Sequence, residues 1–259
     1  MGILNRTTDS FFDRGAFYEM DRFLFRAREL VDAGADILDV GGVKAGPGPE
    51  IGEDEELERV VPAIAALHDG FDLPISVDTW RAAVAREAYG AGAVIGNDIS
   101  GFADPDYLPA AAAARASVVA THIRLQPRVR DPDPVYPEGV VEAVGTFLVE
   151  RARRAEAAGI PPERIMIDAG LDLGKTTPQS VTLLRESRRL AQLGYPLLLS
   201  ASNKTFLGQL LDLELGDRGV ASLAAAALGI AGGCRILRVH DVSGTRRVRD
   251  VLGAVLEAH

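Results

Sequence analysis

Eight short apolar runs, each closed by polar or glycine residues and each followed by a longer helical stretch, constrain this chain more than any other feature. They are GILN (2–5), DILDV (36–40), LPISV (73–77), AVIG (93–96), SVVATH (117–122), IMID (165–168), PLLLS (196–200) and ILRV (236–239). Continuous apolar strands that alternate with helices imply a parallel sheet covered by helices. Eight such units predict a closed (β/α)8 barrel; an open doubly wound sheet is the alternative. The 259 residues match the roughly 250 usual for one barrel. No linker, charge block or low-complexity stretch divides them, so 1–259 reads as one domain.

Helix signals agree. Asp104-Pro105 and Thr177-Pro178 read as N-caps followed by proline at the first helical position. DAGAD (32–36), GAGA (90–93) and EAAGI (156–160) read as helix ends with glycine just ahead of the next strand. The alanine run at 110–114 belongs in a helix.

The formal net charge of −9 argues against a nucleic-acid or acidic-membrane partner, since phosphate backbones need a basic face. An anionic metabolite stays possible where a few cations are focused in one pocket. Cys234 is the only cysteine, which excludes a disulfide framework and a thiolate metal site. Its apolar, small-residue surroundings point to a buried structural role. No signal peptide opens the chain, and no apolar run reaches the roughly 18 residues of a membrane span, so a reducing cytoplasm is expected.

In a closed barrel the site lies where the strands end, so the polar residues that terminate the runs carry the functional information. Run one ends in Asn5, run three in Asp78, run four in Asn97-Asp98, run five in Thr121-His122 and run six in Asp168. Run two leads into GGVKAGPG (41–48), run seven leads to Lys204, and run eight carries Arg238 and His240. Two-residue periodicity puts Arg238 and His240 on one strand face, as it does Met166 and Asp168. Each residue has an ordinary structural use, since Asp at such a junction is often an N-cap and Asn often stabilises a loop. Together they would be costly beside an apolar core unless paired or ligand-binding. Carboxylates and amides suit the edge of a polar ring; Lys, Arg and His suit a phosphate or pyrophosphate. GLDLGKT (170–176) lacks the four residues that separate the glycines of a P-loop, which excludes nucleotide hydrolysis on that basis.

These residues are where a family becomes recognisable. The opening MGILNRTTDSF resembles the start of dihydropteroate synthase, as do DVGG…PG (39–48), SVDT (76–79), ND.SG (97–101), DAG…GK (168–175), S.K..LG (202–208) and RVHDV (238–242). The motifs run in the family's order over essentially the whole chain. The resemblance implies a (β/α)8 transferase of folate biosynthesis that joins 6-hydroxymethyl-dihydropterin pyrophosphate to 4-aminobenzoate and releases pyrophosphate. By position, Asp78, Asn97, Asp168 and Lys204 resemble the pterin pocket. Asn5, Arg238 and His240 resemble the pyrophosphate and Mg2+ site, with Asn5 as the metal-side residue and Asp9 on the first loop beside the catalytic groups. A cytoplasmic homodimer through late helices is implied as well.

The departures from the family cluster. Its Glu-Ser-Thr-Arg-Pro-Gly is Val43-Lys44-Ala45-Gly46-Pro47-Gly48 here, its Gly-Phe-Gly-Lys is Asp172-Leu173-Gly174-Lys175, and its Ser-Arg-Lys is Ser202-Asn203-Lys204. A loop-one proline is Thr8, and a methionine-histidine pair is Thr121-His122. Pterin-side residues match and acceptor-side residues do not. The chain therefore resembles the divergent second paralogue of some high-GC bacteria. The function expected first is nonetheless that of a synthase; the alternative is a divergent paralogue that binds a pterin but uses another acceptor or is a non-catalytic binding protein, and the pterin-binding domain of folate-dependent methyltransferases is a third reading.

Overall fold

A computed structural model describes residues 1–6, 19–44, 46 and 51–256. Thr8, Asp9, Ala45, Pro47 and Gly48 lie outside the described residues. The strands are β1 (Gly2–Asn5), β2 (Leu38–Gly41), β3 (Ile75–Asp78), β4 (Ile95–Asp98), β5 (Ser117–Thr121), β6 (Ile165–Asp168), β7 (Leu197–Leu199) and β8 (Ile236–Leu237). They form one sheet in sequential order with every neighbouring pair parallel. Past β8, Val239 is bonded to the first strand's edge: Ile3 N donates to its carbonyl at 3.1 Å, and its own N–H donates to Met1 O at 3.0 Å.

Helices fill the connections. They are α1 (Met20–Asp32), α2 (Glu53–Gly70), α3 (Ala82–Gly90), α4 (Tyr107–Ala113), α5 (Val140–Ala157), α6 (Thr177–Arg185), α7 (Ser187–Ala191), α8 (Thr205–Leu211), α9 (Gly219–Ala231) and α10 (Val242–Leu256). In α1 the buried residues are Phe23, Ala27 and Leu30, an i, i+4, i+7 stripe that packs on the sheet while its charged positions face water. The same logic yields two outer cores between sheet and helices, one around Leu4, Val40, Ile64 and Val77, the other around Val118, Leu148, Ile167 and Leu183. On the opposite strand face, Met1, Ile95, Val119, Met166 and Leu198 form a separate apolar cluster. Above it the inner positions turn polar.

Two helix signals shift when seen in place. Thr176, not Thr177, caps α6, and its side chain and Gln179 form a reciprocal capping box, the arrangement that satisfies two orphan amides at once. Asp104 braces the turn ahead of α4: its carboxylate accepts from Asp106 N at 3.0 Å and from Ala82 N at 2.9 Å. The helix itself starts at Tyr107. The glycine ends hold: Gly34, Gly92 and Gly159 each take positive φ just beyond α1, α3 and α5, where a side chain would be strained.

Register sets the site. Asn5 pairs with Gly41, Gly41 with Asp78, and Asp78 with Asn97, so four C-terminal residues form one row. Thr121 and Asp168 pair alongside. Gly41 lies between Asn5 and Asp78 in this row, where a Cβ would make only ordinary contacts, 3.4 Å from Asn5 Oδ1 and 3.6 Å from Asp78 Cβ.

Candidate active site

The floor of the site is a charged triad from three strands. Arg238 Nε donates to Asp39 Oδ2 and Arg238 Nη2 to Asp78 Oδ2, each at 2.6 Å, with the guanidinium 16% exposed and Asp39 fully buried. Burial pushes the Asp78 carboxyl up to about 7 against the opposing pull of Arg238. The two carboxylates hold Arg238 charged, well above its ordinary value, although burial works the other way. Asn97, also buried, turns its amide toward Asp39 Oδ2 at 3.4 Å. Asp39 Oδ1, Ser76 Oγ and Thr121 Oγ1 are buried without a hydrogen-bond partner among the described residues. A buried polar atom of that kind carries a desolvation cost until a ligand or water meets it.

Asp168 closes β6 beside this floor. It is buried, its Oδ1 accepts from Gly170 N at 2.8 Å, and burial raises its pKa while that hydrogen bond and the Lys204 and Lys175 charges oppose the shift. The loop after it is held from inside. Lys175 Nζ donates to Gly170 O at 2.8 Å and Leu173 O at 2.9 Å, and His122 Nδ1 lies 2.9 Å away. With His122 O at 3.3 Å these make four acceptors around the three protons of an ammonium, although burial draws the Lys175 pKa down to about 7. His122 is neutral, lowered to about 3 by burial and by Lys175, so its ring accepts from the lysine. Lys175 thus points inward to loop carbonyls rather than outward to a phosphate, unlike the lysine of a P-loop.

Lys204 enters from the end of β7, immediately before α8. Its ammonium charge bears on Asp78, Asp168, Lys175 and His240, so it belongs to the same charged cluster. His240 accepts or donates at Ser202 Oγ, 3.0 Å from Nδ1, while its backbone carbonyl accepts from Arg26 Nη2 at 3.2 Å. Burial, with Arg238 and Lys204 adding to it, lowers the imidazole to about 3, so at neutral pH it offers a neutral ring.

The structure therefore brings Asn5, Asp78, Asn97, Asp168, Lys204, Arg238 and His240 to one end of the sheet. Two of them differ from the sequence expectation, one in its pairing and one in its charge. Arg238 is shared between two acids and His240 is uncharged, because burial beside cations penalises an imidazolium. Asp98 leaves the site: its carboxylate accepts from Ser100 N at 2.6 Å and Phe102 N at 2.9 Å and shapes the turn after β4. Burial raises it to about 7. Asn203 also turns away, with φ of 57°, its N–H donating to Ser222 Oγ at 2.9 Å and its Oδ1 accepting from that hydroxyl at 3.3 Å. Cys234 is buried, and burial pushes its thiol up to about 12, the environment of an inert cysteine. Among the described residues no three His, Cys, Asp or Glu side chains gather as a metal cluster.

Asp39 and Lys175 belong to the site's framework and were not singled out by strand endings, whereas His122, which ends the fifth run, serves there as the partner of Lys175. Asp39 sits inside an apolar run, not at its end. A charge within a continuous apolar strand was itself the available signal, since it demands a buried partner.

Comparison with known proteins follows the same outline. Residues 1–240 match the family model described as pterin binding enzyme. The "Inactive dihydropteroate synthase 2" of Mycobacterium leprae is 44% identical over 260 residues, spanning 98% of this chain and 89% of that protein. The dihydropteroate synthase of Haemophilus influenzae is 39% identical over 259 residues, spanning 100% of this chain and 94% of its own. The crystal structure of Yersinia pestis dihydropteroate synthase with a sulfonamide drug complex superposes with a TM-score of 0.96 at 37% identity, covering 100% of this chain and 94% of that one.

Proposed function

The chain belongs to the pterin-binding enzyme family, and on that premise we propose that it binds a 6-hydroxymethyl-dihydropterin pyrophosphate at the C-terminal ends of its strands. We read the whole chain as one domain and the sheet as a closed barrel, a reading the Val239 bonds to β1 support. The observation that carries the proposal is the convergence of buried Asp39, Asn97 and Asp168 with Asp78 and Lys204 at one opening. The ring edge would meet Asp168, Asn97 and Asp78, whose carboxylates and amide match alternating donors and acceptors. With Asp78 ionised, the triad beneath would place net negative charge where cationic character develops on the ring as pyrophosphate departs, the preorganised arrangement that lowers a barrier without reorganisation. Lys204 would contact the pterin ring, and the neutral ring of His240 would face the departing group.

Mg2+ is the cofactor this chemistry suggests, and it would neutralise leaving-group charge. The donor set fits an ion carried mainly by phosphate oxygens, since Mg2+ commonly takes one or two protein oxygens with the rest from substrate and water. Asn5 Oδ1, at the end of β1 beside Gly41, is the described oxygen that would serve.

The acceptor side is different. Asn203 is committed to α9 through Ser222, and Leu173 and Gly46 supply neither an aromatic ring nor a cation. We assign the chain as a divergent synthase paralogue that retains pterin binding and handles 4-aminobenzoate poorly. A working condensing transferase is the second reading, favoured by retention of Asp78, Asn97, Asp168, Lys204, Arg238 and His240. Pyrophosphate release from the pterin pyrophosphate, followed with and without 4-aminobenzoate, separates the two. Steady turnover with a micromolar Michaelis constant for the amine overturns the divergent assignment. The exposed Val220, Leu228, Val251 and Val255 on α9 and α10 support a homodimer through those helices. No helix of the described residues is long and apolar enough to cross a membrane, which supports a cytoplasmic setting.

A further inference from the structure

Asp172 stands between β6 and α6 with φ of 68°, the left-handed region that L side chains other than Asn and Asp seldom take. Its carboxylate explains the conformation. Oδ2 accepts from Thr205 N at 2.5 Å, and the two oxygens lie 3.2 and 3.3 Å from Phe206 N, which donates to them. On its other side Asp172 is braced by Ser180, buried in α6: Asp172 N donates to Ser180 Oγ at 3.2 Å, and that hydroxyl donates to Asp172 Oδ1 at 3.5 Å. A second link between the same helices runs from Thr177 Oγ1 to Gln209.

The two amides that Asp172 holds belong to the residues directly after Lys204. Lys204 itself has extended backbone, φ −65° and ψ 153°, and its N–H donates to Ala201 O at 3.3 Å. With the chain fixed by Ala201 on one side and Asp172 on the other, the direction of the Lys204 side chain is set by a contact between two separate loops. We propose that Asp172 is a positioning residue that aims the Lys204 ammonium at the carboxylates of the pterin pocket, an inference that rests on Lys204 contacting the pterin. The carboxylate is recruited to backbone donors, as at an N-cap, and acts on the ligand only through Lys204.

The chain has only three lysines, Lys44, Lys175 and Lys204, so an amine-reactive reagent followed by peptide mass spectrometry reads Lys204 directly, with Lys44 as the reference. Titration calorimetry with 6-hydroxymethyl-7,8-dihydropterin on the full chain supplies the second readout. In Asp172→Gly, which suits the positive φ and so removes the anchor without new strain, Lys204 labelling should change several-fold relative to Lys44. Dihydropterin affinity should fall roughly ten-fold, the size of a lost cap. Asp172→Asn keeps an acceptor oxygen and tolerates the left-handed backbone, so it should recover affinity to within about three-fold of the native chain. A merely structural Asp172 would move the melting temperature and leave both readouts alone. Labelling and affinity within two-fold of native in Asp172→Gly, with binding abolished in Lys204→Met, would overturn the positioning role and leave the pocket intact. Unchanged dihydropterin affinity in Lys204→Met overturns the pterin reading on which the inference rests.

Discussion

Arg238→Ala removes the one guanidinium that Asp39 and Asp78 share. Both ion pairs are 2.6 Å long, and none of the three side chains is more than 16% exposed. Deleting one partner of a buried pair costs about 3–5 kcal/mol, because it strands an unpaired charge. Two carboxylates are stranded here, but they share a partner, so doubling that figure would overcount. Asp78 can also take up a proton. It already stands near 7 with the arginine present, and without that opposing charge it rises further. A carboxyl raised in the folded state holds more protons than the unfolded chain between its unfolded pKa, near 3.8, and its new folded value, so stability falls as pH rises through that window. We expect Arg238→Ala to lose about 3–5 kcal/mol at pH 8 and about 1 kcal/mol less than that at pH 5.5, because the native Asp78 already titrates across part of that window, measured by urea denaturation. Because the triad supports the ring pocket, uncharged 6-hydroxymethylpterin and its pyrophosphate should weaken together, within about three-fold of each other by calorimetry. A loss below about 1 kcal/mol that ignores pH would refute the buried-triad argument. A ten-fold greater loss for the pyrophosphate would make Arg238 a rim cation instead.

Asp168→Ala should weaken dihydropterin binding at least a hundred-fold in the same calorimetry, since a buried charged hydrogen-bond partner contributes about 2–3 kcal/mol; equal affinity would remove Asp168 from the pocket. The folded-state pKa of His122 is lowered to about 3, so its contribution is intact above the unfolded value of about 6.5 and is lost as pH falls toward 3. Between pH 7 and 5 the native chain should therefore lose about 2 kcal/mol relative to His122→Gln, and parallel denaturation curves for the two would contradict this. Gly170→Ala should destabilise by several kcal/mol and abolish pterin binding, because its Cβ would overlap the backbone carbonyl of His122 at a φ of 64° and no rotamer relieves a backbone clash. Near-native melting of that variant would show that the β5 and β6 loop ends can move apart.

The sequence by itself determined the eight strands and which polar residues stand at their ends. Apolar runs bounded by turn residues are local signals, and period two then assigns faces. Hence Asn5, Asp78, Asn97, Asp168 and Arg238 could be named from spacing, and the glycine stops after α1, α3 and α5 from the need for positive φ. What the tertiary structure decided is the state of those groups. Asp39 becomes the buried partner of Arg238 only when β2, β3 and β8 bring residues some 160 to 199 positions apart to 2.6 Å. Burial, with Arg238 and Lys204 adding to it, lowers His240 to about 3, Asp98 serves a turn, Asn203 faces α9, and Asp172 reaches the start of α8. Composition and periodicity carry the free energy of burial, which is nearly additive along the chain. Charge state and hydrogen-bond choice depend on distances between residues remote in sequence and on a dielectric that exists only once the core has closed around them.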